Sequence, residues 1–258
     1  MENLTMNYVD RNKISSTDAL EMHTLFLRYY ENAPLDTFIK DLGKKDGALV
    51  LREKDSNRIV GFTTVHVMQM EHDGKTINGL FSGDTIIEKQ YWGSATFRKG
   101  YANYIGKLKL KYIGRPLYWF LISKGYKTYL LMTNNFVKYY PRPESDDPQM
   151  KAIVEAYTDL MFPGYYNKKT KLLDFGDDYQ KLKSITSPVT DDIVGKDKNI
   201  KFFIEQNPTW ERGTELPCVA EISFTVYLMQ LGKIVNKVYR AKPKMIGASI
   251  WRKFQENQ

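Results

Sequence analysis

The feature that most constrains the fold of this chain is a strand, a turn and a helix around Gly93. An apolar segment at residues 79–87 has the composition of a strand. The hexapeptide Gln-Tyr-Trp-Gly-Ser-Ala follows at 90–95, and a basic segment from Thr96 to about Lys111 then favours a helix. Such a turn gathers backbone N–H groups at the positive end of a helix dipole. This arrangement suits a diphosphate group.

Composition narrows the classes of protein to which the chain can belong. Its 258 residues include one cysteine, Cys218, which excludes an internal disulfide and favours a reducing, cytoplasmic setting. The longest apolar runs, 117–122 and 129–132, are too short to span a bilayer. The net charge of +8 favours an anionic partner, but no nucleic-acid-binding motif accompanies it. Three scattered histidines and one cysteine predict no metal site.

Residues 48–87 predict three antiparallel strands, which begin near 48, 59 and 76. Asp73-Gly74 is typical of a type I′ hairpin turn, because both residues tolerate a positive φ. A two-residue turn there would place Thr63 opposite Asp84 and would direct Ser82 and Asp84 to one face of the sheet.

The order of the elements, together with the hexapeptide, suggests a known superfamily. A strand, two helices, three antiparallel strands, a loop, a helix, a strand and a helix follow one another from about residue 5 to 142. The hexapeptide fits the pattern Gln/Arg-x-x-Gly-x-Gly/Ala, and the whole resembles the GNAT acyltransferase superfamily. The resemblance implies an α/β fold with a mixed, mostly antiparallel central sheet flanked by helices.

Two parts of the chain are expected to form one compact unit. The GNAT-like, acyl-CoA-binding core covers residues 1–142, and a helical C-terminal extension covers 143–258. Within the extension, apolar spacing predicts a helix from Pro148 to Met161 and a long helix from Val219 to Tyr239.

The resemblance also implies that acyl-CoA, with an acetyl or longer group, is the co-substrate. The strand before the loop and the strand after the next helix should diverge around its pantetheine. We predict these strands at Gly79–Ile87 and Lys127–Thr133, with a helix from Pro116 through Ser123 between loop and second strand. Asn135 should either bond the pantetheine or cap a helix. The other predicted binding residues are Ile86, Ile87, Gln90, Tyr91, Trp92, Gly93, Ser94 and Ala95.

Acyl transfer to an amine needs a base for the ammonium proton and an acid for the departing thiolate. Asp84 is the candidate base, because burial in an apolar strand would raise its pKa. The alternative is a structural carboxylate, and Ser82 could relay a proton or simply be a bonded hydroxyl. Tyr139 or Tyr140 is the candidate acid, since each follows the second predicted strand, although either could instead pack in the core.

Three functions stay open on the sequence. The first is an N-acyltransferase that moves an acyl group from acyl-CoA to a small-molecule or peptide amine by direct attack. The second uses an acyl-carrier protein as donor, as autoinducer synthases do, through basic residues such as Lys107, Lys109 and Lys111. The third is a non-catalytic GNAT-fold ligand-binding protein. The first function requires that the two predicted strands, Gly79–Ile87 and Lys127–Thr133, diverge and that no acidic side chain fill the diphosphate site.

Overall fold

A seven-stranded mixed sheet organises the molecule. The structure is a computed structural model that describes residues 2–183, 189–229 and 232. The strands of this sheet are β1 (Leu4–Asp10), β3 (Gly47–Glu53), β4 (Ile59–His72), β5 (Lys75–Ile87), β6 (Leu117–Ser123), β7 (Tyr139–Tyr140) and β11 (Leu216–Glu221). Their order is β1-β3-β4-β5-β6-β11-β7, and only β5 and β6 pair in parallel. The predicted mixed, mostly antiparallel sheet is confirmed.

Helices cover both faces of the sheet. One face carries α1 (Ser16–Phe26), α2 (Leu35–Leu42) and α5 (Pro148–Met161), which pack against alternate residues of β4 and β5 such as Phe62 and Phe81. The opposite face carries α3 (Ala95–Lys111), α4 (Tyr126–Thr133), α6 (Asp191–Lys196) and α7 (Lys198–Gln206). Two small sheets lie outside it, β2 (Tyr30–Glu31) with β10 (Lys181–Leu182) and β8 (Tyr166–Asn167) with β9 (Leu172–Leu173). No helix among the described residues is both long and apolar enough to cross a membrane.

Two predicted elements after α3 are exchanged in the structure. Leu117–Ser123, predicted as a helix, is strand β6, whereas Lys127–Thr133, predicted as a strand, belongs to helix α4. An uninterrupted apolar run suits a strand covered on both faces, and six of the seven residues of β6 are buried. In α4 the buried residues are Tyr126, Tyr129 and Met132, a spacing of three that belongs to a helix.

The β4–β5 hairpin forms as predicted at its turn but not along its whole length. Asp73 and Gly74 have φ values of 49° and 68°, as a type I′ turn requires. Nearer the loop, β5 holds one extra residue between the pairs Val65–Ser82 and Thr63–Thr85. This β-bulge reverses the alternation, so Ser82 and Asp84 point to opposite faces, contrary to the prediction.

The C-terminal part contributes an interior strand of the sheet, next to its edge. β11 lies between β6 and β7, so the long helix predicted from Val219 is wrong for residues 219–221. Five of the six residues of β11 are buried, which removes the alternation that would have indicated a strand. Residues 224–229 are helical, and 233–239 lie outside the described residues. The division at residue 142 stays a prediction.

Candidate functional site

A cleft opens where β5 and β6 separate. The two strands pair over only four residues, from Asn78–Leu117 to Phe81–Phe120. Beyond this point β5 stays paired to β4 alone, and a cavity of about 450 Å³ opens between the strands and the start of α4. The predicted divergence is therefore present, with β6 as the second strand instead of Lys127–Thr133.

The bulge in β5 explains how the cleft arises. An extra residue bends a strand and increases its twist, which carries β5 away from β6. The bulge also needs a glycine, because a Cβ on Gly83 would lie 2.5 Å from the Thr64 hydroxyl and 3.2 Å from Cε of Lys45. The bulge directs the following residue, Asp84, towards the face that carries α2.

Five charged side chains line the inner part of the cleft: Asp41, Lys45, Asp84, Lys124 and Glu215. Lys45 pairs with Asp41 at 2.8 Å, and Lys124 pairs with Glu215 at 3.0 Å. The Lys124 and Glu215 side chains are only 7% and 4% exposed. Within the described part of the chain Asp84 forms no ion pair, so it is the excess carboxylate of the cluster.

The surroundings of Asp84 change its proton affinity. Loss of hydration, followed by repulsion from Asp41, raises the pKa of Asp84 to about 6, against the opposing effect of Lys45 and Lys124. A carboxylate with such a pKa is ionised at neutral pH and still accepts a proton readily. The electrostatics therefore fit the predicted role of a base.

Lys124 is held in place by several contacts besides Glu215. Its Nζ donates a hydrogen bond to the carbonyl oxygen of Gln180 at 2.8 Å. The same atom lies 4.6 Å from the ring centroid of Tyr179 and 5.5 Å from that of Tyr30. These contacts join β6 to the β2–β10 sheet at the inner wall of the cleft.

The predicted diphosphate site is partly filled by the chain itself. The loop turns at Gly93, where φ is 76°, and leads into α3. The carboxylate of Glu2 accepts hydrogen bonds from the backbone N–H groups of Ala95 and Thr96, both at 3.0 Å, and from the Ser94 hydroxyl at 2.7 Å. Burial alone would raise the pKa of Glu2, but these hydrogen bonds outweigh it and lower the pKa to about 2. An acidic side chain thus stands where the sequence predicted an open anion site, so one of the two conditions set for an acyl-CoA-dependent transferase is not met.

Other predicted loop residues bond within the protein. The Gln90 amide donates to Glu88 at 3.1 Å, and the Tyr91 hydroxyl donates to Glu53 at 2.6 Å. The Trp92 indole donates to the carbonyl oxygen of Ile87 at 2.8 Å, and the Tyr29 hydroxyl donates to the same oxygen at 3.1 Å. That carbonyl is therefore occupied and does not offer a lone pair to a pantetheine. Ile86 and Ile87 do line the cleft.

The mouth of the cleft is cationic. Lys127 at the start of α4 places Nζ 4.6 Å from the ring centroid of Trp92. Loss of hydration and repulsion from Lys89 lower the pKa of Lys127. An anion at this mouth would offset the repulsion between the two ammonium groups.

Tyr139 and Tyr140 are not brought to the cleft. They form β7, which pairs with β11 at the edge of the sheet, and both rings are buried in the core. Burial raises the pKa of Tyr140 to about 12. Their selection depended on a strand at 127–133, and that premise is wrong. Asn135 donates to the carbonyl oxygen of Leu131 at 2.7 Å and lines a second cavity instead of the cleft.

The sequence reasoning missed most of the charged cluster. Lys124 follows directly after β6, so a correct assignment of that strand would have drawn attention to it. Lys45 lies in the turn after α2, and Glu215 directly precedes β11, far away in the sequence. No local pattern marks either residue as part of a site.

Comparisons with known proteins give structural likeness only. No family model matches the chain, and no curated protein matches it either. A conserved Enterococcus faecalis V583 protein, a probable N-acyltransferase, shares 12% identity over 53% of this chain and 33% of its own, with a TM-score of 0.39. This chain thus spans about a third of that protein's length.

Two further solved structures are acetyltransferases. An aminoglycoside acetyltransferase from an uncultured soil metagenomic sample, in complex with trehalose, shares 14% identity over 56% of this chain and 91% of its own, with a TM-score of 0.39. An Escherichia coli GNAT family N-acetyltransferase in complex with CoA shares 16% identity over 53% and 70%, with a TM-score of 0.37. At such low identities and TM-scores, the likeness says nothing about the reaction or substrate of this chain.

Proposed function

We propose that this protein is an N-acyltransferase that moves an acyl group from a thioester, with acyl-CoA as the first candidate donor, to an amine by direct attack. The observation that carries the proposal is Asp84, which lies in the cleft between the diverging strands and forms no ion pair with any other described residue. Asp84 takes a proton from the acceptor's ammonium, the free amine attacks the thioester carbonyl, a C–N bond forms and the C–S bond breaks. The second proton lost by the nitrogen neutralises the departing thiolate.

The charge balance of the cluster supports an amine acceptor. Each of the two buried lysines already has a carboxylate partner, so one further cation would neutralise Asp84. A half-buried carboxylate that has lost part of its hydration and has no ion-pair partner is unfavourable, and an ammonium group of the acceptor supplies that partner.

The cationic mouth supports a donor that carries phosphate groups. Replacing Lys127 by glutamate should weaken CoA binding by about tenfold, and the loss should shrink at high salt, because a Coulombic contact near the surface is screened. Isothermal titration at two salt concentrations measures this. Lys201→Glu on α7, where the side chain is 66% exposed, makes the same charge change away from the cleft and should leave affinity unchanged. Equal loss in both variants would show that net charge alone is responsible.

Because Glu2 already accepts hydrogen bonds from the Ala95 and Thr96 N–H groups, acyl-CoA can be the donor only if its diphosphate displaces this carboxylate. Removing its charge with Glu2→Gln should tighten CoA binding by about tenfold, the effect of one charge-assisted hydrogen bond near the surface. The matched control is Glu21→Gln, and the readout is the dissociation constant of free CoA. Unchanged affinity in Glu2→Gln would mean that CoA does not use these N–H groups.

The position of Glu2 also favours a second candidate donor. An acyl-carrier protein presents its thioester on phosphopantetheine, which has one phosphate in place of the diphosphate and no adenosine, so Glu2 would obstruct it less. Lys107 and Lys111 are exposed on α3 and suit an acidic partner. A carrier-protein donor predicts that neutralising Lys107, Lys109 and Lys111 together weakens transfer from acyl-carrier protein and leaves transfer from acyl-CoA unchanged.

The decisive experiment measures thiol release from acyl-CoA and from acyl-carrier protein, with and without a panel of primary amines. Amine-dependent release by the full chain supports the proposal. If neither donor reacts but free CoA raises the melting temperature, the protein is a binding module with a transferase-like fold.

A further inference from the structure

A second cavity adjoins the cleft on the opposite face of the sheet. Its volume is about 320 Å³, near the lower end of the range of about 300–1,000 Å³ that ligand pockets occupy. It lies between α3, α4 and residues 222–227. Four residues line both cavities: Ser82, Thr85, Trp119 and Leu131. The two spaces therefore meet at the bulge of β5.

The polar groups on the shared wall are already bonded to one another. The Ser82 hydroxyl accepts hydrogen bonds from the Trp119 indole and from the Tyr101 hydroxyl. The Thr63 and Thr85 hydroxyls bond each other at 2.7 Å. With these groups satisfied, the cavity presents mainly the side chains of Phe97, Ala102, Ile105, Phe136, Ile222 and Val226. Such a surface suits a ligand segment without polar atoms.

A close contact between a glycine and a tyrosine holds one wall of this cavity against α3. The Tyr227 hydroxyl lies 2.4 Å from the position that a Cβ on Gly106 would occupy. Gly106 therefore lets the segment 222–227 approach α3, so that this segment forms one wall of the second cavity, which we call the apolar chamber.

We propose that this chamber holds the hydrocarbon tail of the donor, so the preferred acyl group is a medium-length chain and not acetyl. The inference rests on the proposed acyltransferase function. A thioester carbonyl at the bulge would then face Asp84 on one side of the sheet and extend its tail past Ser82 and Thr85 into the chamber on the other.

A chain-length series with acyl-CoA tests the chamber directly. Each buried methylene should tighten binding by about fourfold, so octanoyl-CoA should bind at least about a hundredfold tighter than acetyl-CoA. Ala102→Leu narrows the chamber without removing a good helix former, and should weaken octanoyl-CoA about tenfold while acetyl-CoA binds as before. Ala152→Leu on α5, which does not line the cavity, is the matched control.

Two further measurements separate the chamber from the donor proposal. Val226→Ala enlarges the chamber and should move the preferred acyl group to a longer chain. This variant provides the test if Ala102→Leu does not fold. Sodium octanoate, titrated against acetate and followed by NMR, probes the chamber without any CoA. If octanoate binds and Ala102→Leu abolishes binding while no CoA thioester binds, the chamber stands and the donor is wrong. Equal affinity for all chain lengths, with no octanoate binding, overturns the chamber and leaves acyl transfer intact.

Discussion

Replacing Asp84 by asparagine is expected to lower kcat/KM for acyl transfer by a factor of about 10²–10⁴, the usual contribution of a positioned base. Asparagine keeps the shape of the side chain but cannot accept the ammonium proton. Because the proposed contacts of CoA are with Lys127 and the loop around Gly93 and not with Asp84, CoA should bind the variant as it binds the wild type. Steady-state kinetics and CoA titration of the two proteins measure both quantities.

The pH dependence makes this prediction specific. A base must be ionised, so wild-type kcat/KM should fall as the pH drops below about 6, the raised pKa of Asp84. The effect of Asp84 on stability runs opposite to its effect on rate. Because its pKa is higher in the folded protein than the unfolded value of 3.8, protonated Asp84 stabilises the fold at low pH, and this contribution is lost as the pH rises through about 6. The Asp84→Asn variant should therefore melt higher than wild type at pH 8 and no higher at pH 4.

An exposed carboxylate provides the control for this experiment. Asp192, whose side chain is 69% exposed in a surface ion pair, can be changed to asparagine with the same chemistry. Asp192→Asn should alter neither the rate nor the acid limb of its pH profile. Full activity in Asp84→Asn would remove the base from the mechanism and favour a ligand-binding role for the cleft.

Local sequence signals predicted those parts of the fold that local chemistry determines. The Asp73-Gly74 turn has the expected positive φ values. Residues 15–18 offer N-cap oxygens before an apolar periodic segment in the sequence, and Ser15 caps α1 by accepting a hydrogen bond from the Asp18 N–H. The bounds of α5, Pro148–Met161, also agree with the predicted segment. In each case the deciding interactions lie within a few residues of one another.

The errors arose where neighbours in space determine the structure. β6 and β11 are covered on both faces, so neither shows the alternation that identifies a half-buried strand. The bulge in β5 follows from packing around Gly83 and is invisible to a register counted from the turn. The predictions for Tyr139 and Tyr140 failed because they depended on the misassigned strand.

The site shows the same limit more strongly. Asp84 could be chosen from the sequence because its own strand is apolar. Its neighbours Lys45 and Glu215 come from separate segments, and Glu2 reaches α3 across more than ninety residues of chain. Only the tertiary structure shows that the predicted anion site already holds a carboxylate.

Replacing Lys124 by methionine is expected to lower the free energy of unfolding by about 3–5 kcal/mol, because it leaves Glu215 as a buried charge without its partner. Urea denaturation should show a lower midpoint at an unchanged m-value. Lys196→Met is the matched control, since its ion pair with Asp192 is about 70% exposed on both sides and should contribute less than about 1 kcal/mol.

The double variant Lys124→Met with Glu215→Leu tests whether the loss comes from the orphaned charge. Removing both charges should recover most of the stability, because two apolar side chains can replace a buried pair at little cost.

Lys124 also acts on the candidate base. Since Lys124 lowers the pKa of Asp84, its loss should move the acid limb of the pH profile above 6. A Lys124→Met protein as stable as wild type would mean that Glu215 takes up a proton instead, and the acid limb would then shift less, because a neutral Glu215 no longer repels the charge on Asp84.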